Sequence, residues 1–285
     1  MNKPATLRHW LATSSHPMAA TARGLRKGIA HFSLPAPRVL IQPYLWLYLG
    51  IRSTWFFLRR VLMAEPLFKA YCTQVGRGLS TGIYVPWVQG RGELIVGDHV
   101  RVSGKLNIVF AARFVGRPRL VIGDYSDLAH ETRFVVGREI RIGSHVQVAP
   151  GVTFRDSGGH PVDPARRMAG EPPDEADVKT VVVHDNVWIG AGVLVMPGAE
   201  IGEGSIVSAH SVVSGIVAPY TVVAGNPARR ISTLTPPPGR EHLVAAPAAK
   251  PKAAAPADAT TVLATDAPEA AVQPTPDAGT ADHVR

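Results

Sequence analysis

The chain is short of cysteine, of acid near its N-terminal end, and of uninterrupted apolar sequence. Its one cysteine, Cys72, cannot form an internal disulfide, and a reducing compartment is its natural setting. No Asp or Glu precedes Glu65, whereas nine Lys and Arg do. Residues 65–235 are nearly balanced, 17 bases against 16 acids, and residues 236–285 carry four bases and six acids. The net charge of +8 therefore belongs to the N-terminal arm and not to the centre. An acid-free arm suits an anionic surface, lipid headgroups or nucleic acid; a solvated arm with no partner is the plainer reading. The longest nearly charge-free run, Val39–Ile51, is thirteen residues broken by Gln42 and Pro43, short of the ~20 a bilayer span requires. The first 35 residues loosely resemble a transit peptide in composition, and no secretory signal is expected in them.

Four regions follow. Residues 1–35 read as a basic flexible arm. Residues 36–77 read as a helical, amphipathic segment. If Tyr44–Met63 is helical, Arg52 and Arg59 share one face beside Ser53 and Arg60, and the remainder is largely Leu, Trp, Phe and Tyr. A wide apolar face with a narrow basic stripe fits a helix lying in a membrane interface, with Trp46, Trp55, Tyr44 and Tyr48 at headgroup depth. The competing reading packs this helix on its own β-domain or on a neighbouring subunit, with Arg52 reaching out to water. Residues 78–235 hold the repeat described below. Residues 236–285, rich in Ala, Pro, Thr and Asp, bury too little apolar surface to offset ordering and read as a disordered tail.

In the centre, branched aliphatics recur every six residues, at Val183, Ile189, Val195, Ile201, Val207 and Val213. Upstream the same step links Val136, Ile142, Val148 and Phe154; Ile122, Leu128 and Phe134; and Val96, Val102 and Ile108. Two-residue slips separate the blocks. Neither helix periodicity nor strand alternation produces a period of six, but a solenoid of three short strands per coil does. The blocks VVHDNVWIGAGVLVMPGAEIGEGSIVSAHSVV (182–213) and VVAGNPARRI (222–231) resemble the bacterial hexapeptide-repeat acyltransferases over roughly residues 78–231. The resemblance implies an all-β fold, the left-handed parallel β-helix, despite the usual right-handed crossover rule.

The phase breaks after Phe154 and resumes at Val183. The polar insertion between them, loop 155–180, would project from one face, where function often sits. It resembles the loop of the maltose/galactoside/xenobiotic O-acetyltransferase branch, similar to polysaccharide-biosynthesis acetyltransferases, whose His-Pro is here His160–Pro161. Acyl transfer from a thioester to a hydroxyl needs a base, and an imidazole serves near neutral pH. His160 is the expected general base, with Asp156 or Asp163 as candidates to orient it. By position in the family, Ala191 and Ala209 would line the channel for acetyl-CoA, and Ser214, Gly215, Arg229 and Arg230 would approach its nucleotide end. Gly215 stands where Lys is common. Trp188 is expected to pack and shape the cleft. The galactoside branch's sugar-binding Asn and Asp fall near Ala129 and Gly137, so His130 and Glu131 become candidates for a different acceptor.

The resemblance further implies a homotrimer that acetylates a sugar hydroxyl, without metal or nucleic acid. The apolar segment at 39–63 points to peripheral contact with the inner face of the cytoplasmic membrane and to a lipid-linked glycan acceptor. Two other readings stay open. One is a γ-carbonic-anhydrase-like metalloenzyme with His130, His145 and His160 as candidate ligands, although their fifteen-residue step does not match coils of three hexads, about eighteen residues. The other is a non-catalytic trimeric scaffold.

Overall fold

The structure, a computed structural model, describes residues 7–111 and 113–244; the part of the expected tail from residue 245 onward lies outside it. Among the described residues, 21 strands form three parallel sheets of seven, eight and six strands, apart from one antiparallel strand at the end. The chain visits the first, second and third faces in turn, so each sheet is one side of a triangular prism: a left-handed parallel β-helix.

The six-residue rungs stack as expected. On the first face Val96, Ile122, Ile142, Val183, Ile201 and Val217 are successive partners. On the second, Val102, Leu128, Val148, Ile189, Val207 and Val223 are. On the third, Ile108, Phe134, Phe154, Val195 and Val213 are. All of these are buried, and the rings of Phe134 and Phe154 stack with centroids 4.9 Å apart. Strands of two to four residues are too short to stand alone; stacking gives them one continuous core. One block is phased differently. Val136 ends the strand Arg133–Val136 opposite Phe110, and the next coil begins at Glu139–Ile142.

The corners differ in character. Between the first and second faces, a polar side chain of each of four successive coils accepts a backbone N–H from the preceding coil. Asp98 takes Arg77 N at 2.7 Å, Asp124 takes Asp98 N at 2.7 Å, Ser144 takes Asp124 N at 3.1 Å and Asp185 takes Ser144 N at 2.8 Å. The corner between the third and first faces carries the insertions, at 111–118, 137–138 and 156–180.

Helices precede the coils: α1 (Leu7–Thr13), α2 (Pro17–Ala30), α3 (Arg38–Arg59) and α4 (Glu65–Tyr71), with one wide turn of π geometry at Arg60–Ala64. The arm expected to be flexible over 1–35 is thus largely helical. Local chemistry accounts for it: His16 caps Met18 N, Pro17 opens α2, and Ala, Leu, Arg and Lys favour helix. α4 drives Phe68, with no exposed surface, into the end of the β-core, so the last part of segment 36–77 is a lid on the solenoid. α3 buries no residue, and Trp46 remains 64% exposed. Among the described residues no helix is long and apolar enough to cross a membrane. At the other end Arg229–Thr233 turns back antiparallel to Thr221–Ala224. In loop 155–180, α5 (Pro164–Met168) is a short helix.

Candidate active site

Loop 155–180 is braced from within. Arg155 donates to the carbonyls of Ser157 (3.0 Å) and Gly158 (2.8 Å), and Arg167 donates to those of Pro161 and Val162, each at 3.0 Å. Gly159, at φ +90°, permits the tight turn between these two clamps. Arg166 pairs with Glu171 at 2.7 Å and Asp174 at 2.8 Å, and Arg138 ties the loop to the coil through Glu175 at 2.8 Å. The turn therefore presents His160 outward on a held frame, exposed in the single subunit, with Pro161 buried beneath it. Val162 and Met168 of the same loop are 82% and 90% exposed.

Both carboxylate candidates are engaged elsewhere. Asp156 is fully buried. It accepts Gly137 N at 2.6 Å, Arg138 N at 2.6 Å and Glu139 N at 2.8 Å. Burial pushes its carboxyl above the usual range, opposed by these three N–H donors. Its oxygens fasten the root of the loop to the preceding coil. Asp163 caps α5, accepting Arg166 N at 2.8 Å, which is ordinary helix-start chemistry. No hydrogen bond joins either to His160 among the described residues. The loop clamps Arg155, Arg166 and Arg167 were missed from sequence; the density of Arg around GGHP was the signal available.

The residues expected to hold acetyl-CoA fall in two places. Ala191 and Ala209 lie on the corner between the second and third faces, half-buried and exposed, where His210 N donates to Ala191 O at 2.8 Å. Trp188 sits near them on the second face and is 55% exposed, so it does not pack within the subunit as expected. Ser214, Arg229 and Arg230 line one cleft of about 300 Å³ at the C-terminal end of the solenoid. Gly215 adjoins it at φ +99°, with nothing within 4 Å of where a Cβ would stand.

The acceptor candidates lie elsewhere within one subunit. His130 Nδ1 is 2.9 Å from Gly104 O and 2.9 Å from Ser103 Oγ, so its ring braces the corner between the second and third faces. Glu131, at φ +62°, approaches Lys105 at 3.8 Å. His145 stacks on Tyr125 at the corner between the first and second faces. His130, His145 and His160 thus occupy three different corners, and no cluster of three potential metal ligands forms among the described residues. Nothing here favours the metalloenzyme reading.

Comparison with known proteins agrees with this architecture. The family model "Bacterial transferase hexapeptide (six repeats)" matches residues 180–215. A galactoside O-acetyltransferase of Lactococcus lactis is 39% identical over 89 residues, 31% of this chain and 41% of that protein. A probable macrolide acetyltransferase of Lysinibacillus sphaericus is 32% identical over 136 residues, 47% of this chain and 71% of that one. The crystal structure of AntD, an N-acyltransferase from Bacillus cereus in complex with dTDP and 3-hydroxybutyryl-CoA, shares the fold at a TM-score of 0.50 and 21% identity. That match covers 63% of this chain and 90% of AntD. The chain belongs to the hexapeptide-repeat acyltransferase family. It spans about half the length of the first curated relatives it matches.

Proposed function

We propose that this chain is a coenzyme-A-dependent O-acetyltransferase that moves an acetyl group from acetyl-CoA to a sugar hydroxyl, working as a homotrimer with His160 as general base. The observation that carries the reading is the braced loop, which exposes an imidazole and, in the same loop, the apolar side chains of Val162 and Met168. A second copy packed there would cover those side chains and close a groove over His160. The His160 ring takes the hydroxyl proton as the oxygen attacks the thioester carbon. A backbone N–H on the rigid coils stabilises the oxyanion, and Ala191 and Ala209 line the channel for the coenzyme arm. Collapse expels the thiolate, which recovers the proton from His160, and the products are the acetyl ester and coenzyme A. No covalent enzyme intermediate and no metal enter. Arg229 and Arg230 supply cations for phosphate at the C-terminal cleft, compensating for Gly215.

The acceptor we infer is a glycan on a lipid carrier, destined for surface polysaccharide, met at the inner face of the cytoplasmic membrane by the apolar segment 39–63. His130 and Glu131 face it from the neighbouring subunit's corner. Support comes from the exposed apolar surface of α3, which buries none of its residues and meets the β-domain through Arg59 over the ring of Tyr84, 5.7 Å away. The test is release of coenzyme A from acetyl-CoA with a panel of sugars and lipid-linked glycans. His160→Ala is expected to lose about 10²–10⁴ in turnover with its β-type circular dichroism unchanged. A near-normal rate removes His160 from the mechanism, and no turnover with any acceptor together with no coenzyme A binding favours a scaffold.

A further inference from the structure

The helices α1 and α2 enclose a cavity of about 540 Å³. Leu11, Ala12 and Ala22 give it an apolar lining, taken as its floor, Arg8, Arg26 and Lys27 a cationic one, taken as its rim, and Ala30 and His31 also line it. Arg23 also reaches it, but its guanidinium has another task. Nη1 donates to Leu11 O and Ser14 O, each at 2.8 Å, and so fastens the turn that brings the two helices together. Residues 1–64 contain no acid, and Arg8, Arg26 and Lys27 enter no ion pair among the described residues.

Gathering like charges around a concave surface opposes folding unless an anion neutralises them. An inorganic anion would use the rim and leave the floor wet. A nucleic acid would use the cations and could stack a base only on His31, leaving the apolar floor unused. A phosphate-bearing amphiphile uses both. Seven residues after α2 the chain enters α3, whose exposed Leu, Trp and Phe side chains are built for the adjacent layer of a bilayer. We propose that the α1–α2 hairpin is a headgroup site for anionic phospholipid, with phosphate against Arg8, Arg26 and Lys27 and the glycerol and upper chain against Leu11, Ala12 and Ala22. The assignment rests on α3 lying in the membrane and adds lipid selectivity to it: α3 supplies depth, and the hairpin chooses the surface.

The test is flotation of the full chain with phosphatidylcholine vesicles and with vesicles containing about one third phosphatidylglycerol. Wild type is expected to partition about tenfold or more in favour of the anionic vesicles. Arg26→Glu/Lys27→Glu removes that preference, and so does Ala22→Phe, which fills the floor without altering charge. Arg38→Glu, a reversal outside the cavity, keeps most of it. A preference retained by Arg26→Glu/Lys27→Glu or by a folded Ala22→Phe overturns the site. Equal binding of wild type to both vesicles overturns the headgroup site and leaves α3 in the membrane; binding to neither overturns both. Equal vesicle binding with tight binding of a single-stranded oligonucleotide, lost in Arg26→Glu/Lys27→Glu, overturns the lipid in favour of nucleic acid.

Discussion

Asp156 shows how a residue beside a candidate base can serve it without touching it. Three backbone N–H groups at 137–139 end on its carboxylate, the bond from Gly137 buried and the other two partly so, and a fully buried donor left without an acceptor costs about 1–3 kcal/mol. Asp156→Ala is therefore expected to lower stability by about 3 kcal/mol or more, read by thermal or urea unfolding, with Asp156→Asn intermediate because one acceptor oxygen remains. If Asp156 instead oriented His160, turnover per folded molecule would fall while the melting temperature held. Cys72 offers a second test at this scale. Burial pushes its thiol up to about 11, and its Sγ lies 3.4 Å from Phe68 O. The reactive thiolate appears only as pH rises toward that value. Labelling by a thiol reagent at pH 7–8 is expected to be slow in the native protein and complete after denaturation.

Among the elements, the coils are rigid where the backbones of successive turns come close. A Cβ on Gly190 would lie 2.5 Å from Ala209 N and 2.9 Å from Val207 O, atoms that cannot yield without parting two coils. Gly190→Val is expected to destabilise by about 2–3 kcal/mol in denaturant unfolding. Gly116→Ala, with nothing within 4 Å of its added carbon, is expected to change stability by less than about 0.5 kcal/mol. The contrast also explains why insertions gather at the corner between the third and first faces. There the chain leaves the prism between strands, so extra residues alter the turn and not the stacking. Loop 155–180 exploits that freedom and regains order through its own arginines.

Considered as a whole, the molecule places its functional candidates on separate corners. His160 projects between the third and first faces, and Ala209 lies between the second and third. In a cyclic trimer two such corners can meet across a heterologous interface. That arrangement predicts complementation. His160→Ala and Ala209→Trp should each be inactive as homotrimers. Refolded together in equal amounts, they should recover about a quarter of wild-type turnover, because one interface in about four pairs an intact His160 with an intact channel. No recovery, with mixed trimers verified by native mass spectrometry, would place the whole reaction within one subunit.

The residue order alone determined the solenoid. A branched aliphatic every sixth position has no satisfactory place in a lone helix or sheet, and the rungs from Val96 to Val213 stack as that period demands. It also marked the loop, since the phase fails between Phe154 and Val183 and GGHP lies in the gap. Tertiary structure decided which corner each side chain reaches. Lateral position in a solenoid depends on how many residues each insertion absorbs, and the fifteen-residue spacing of His130, His145 and His160 says nothing of that until strands pair. Pairing sent those three rings to three corners and turned Asp156 onto backbone N–H groups. Outside the sheets, Asp163 caps α5 and Arg23 fastens the charged arm into a hairpin around a cavity, while Trp188 on the second face stays exposed.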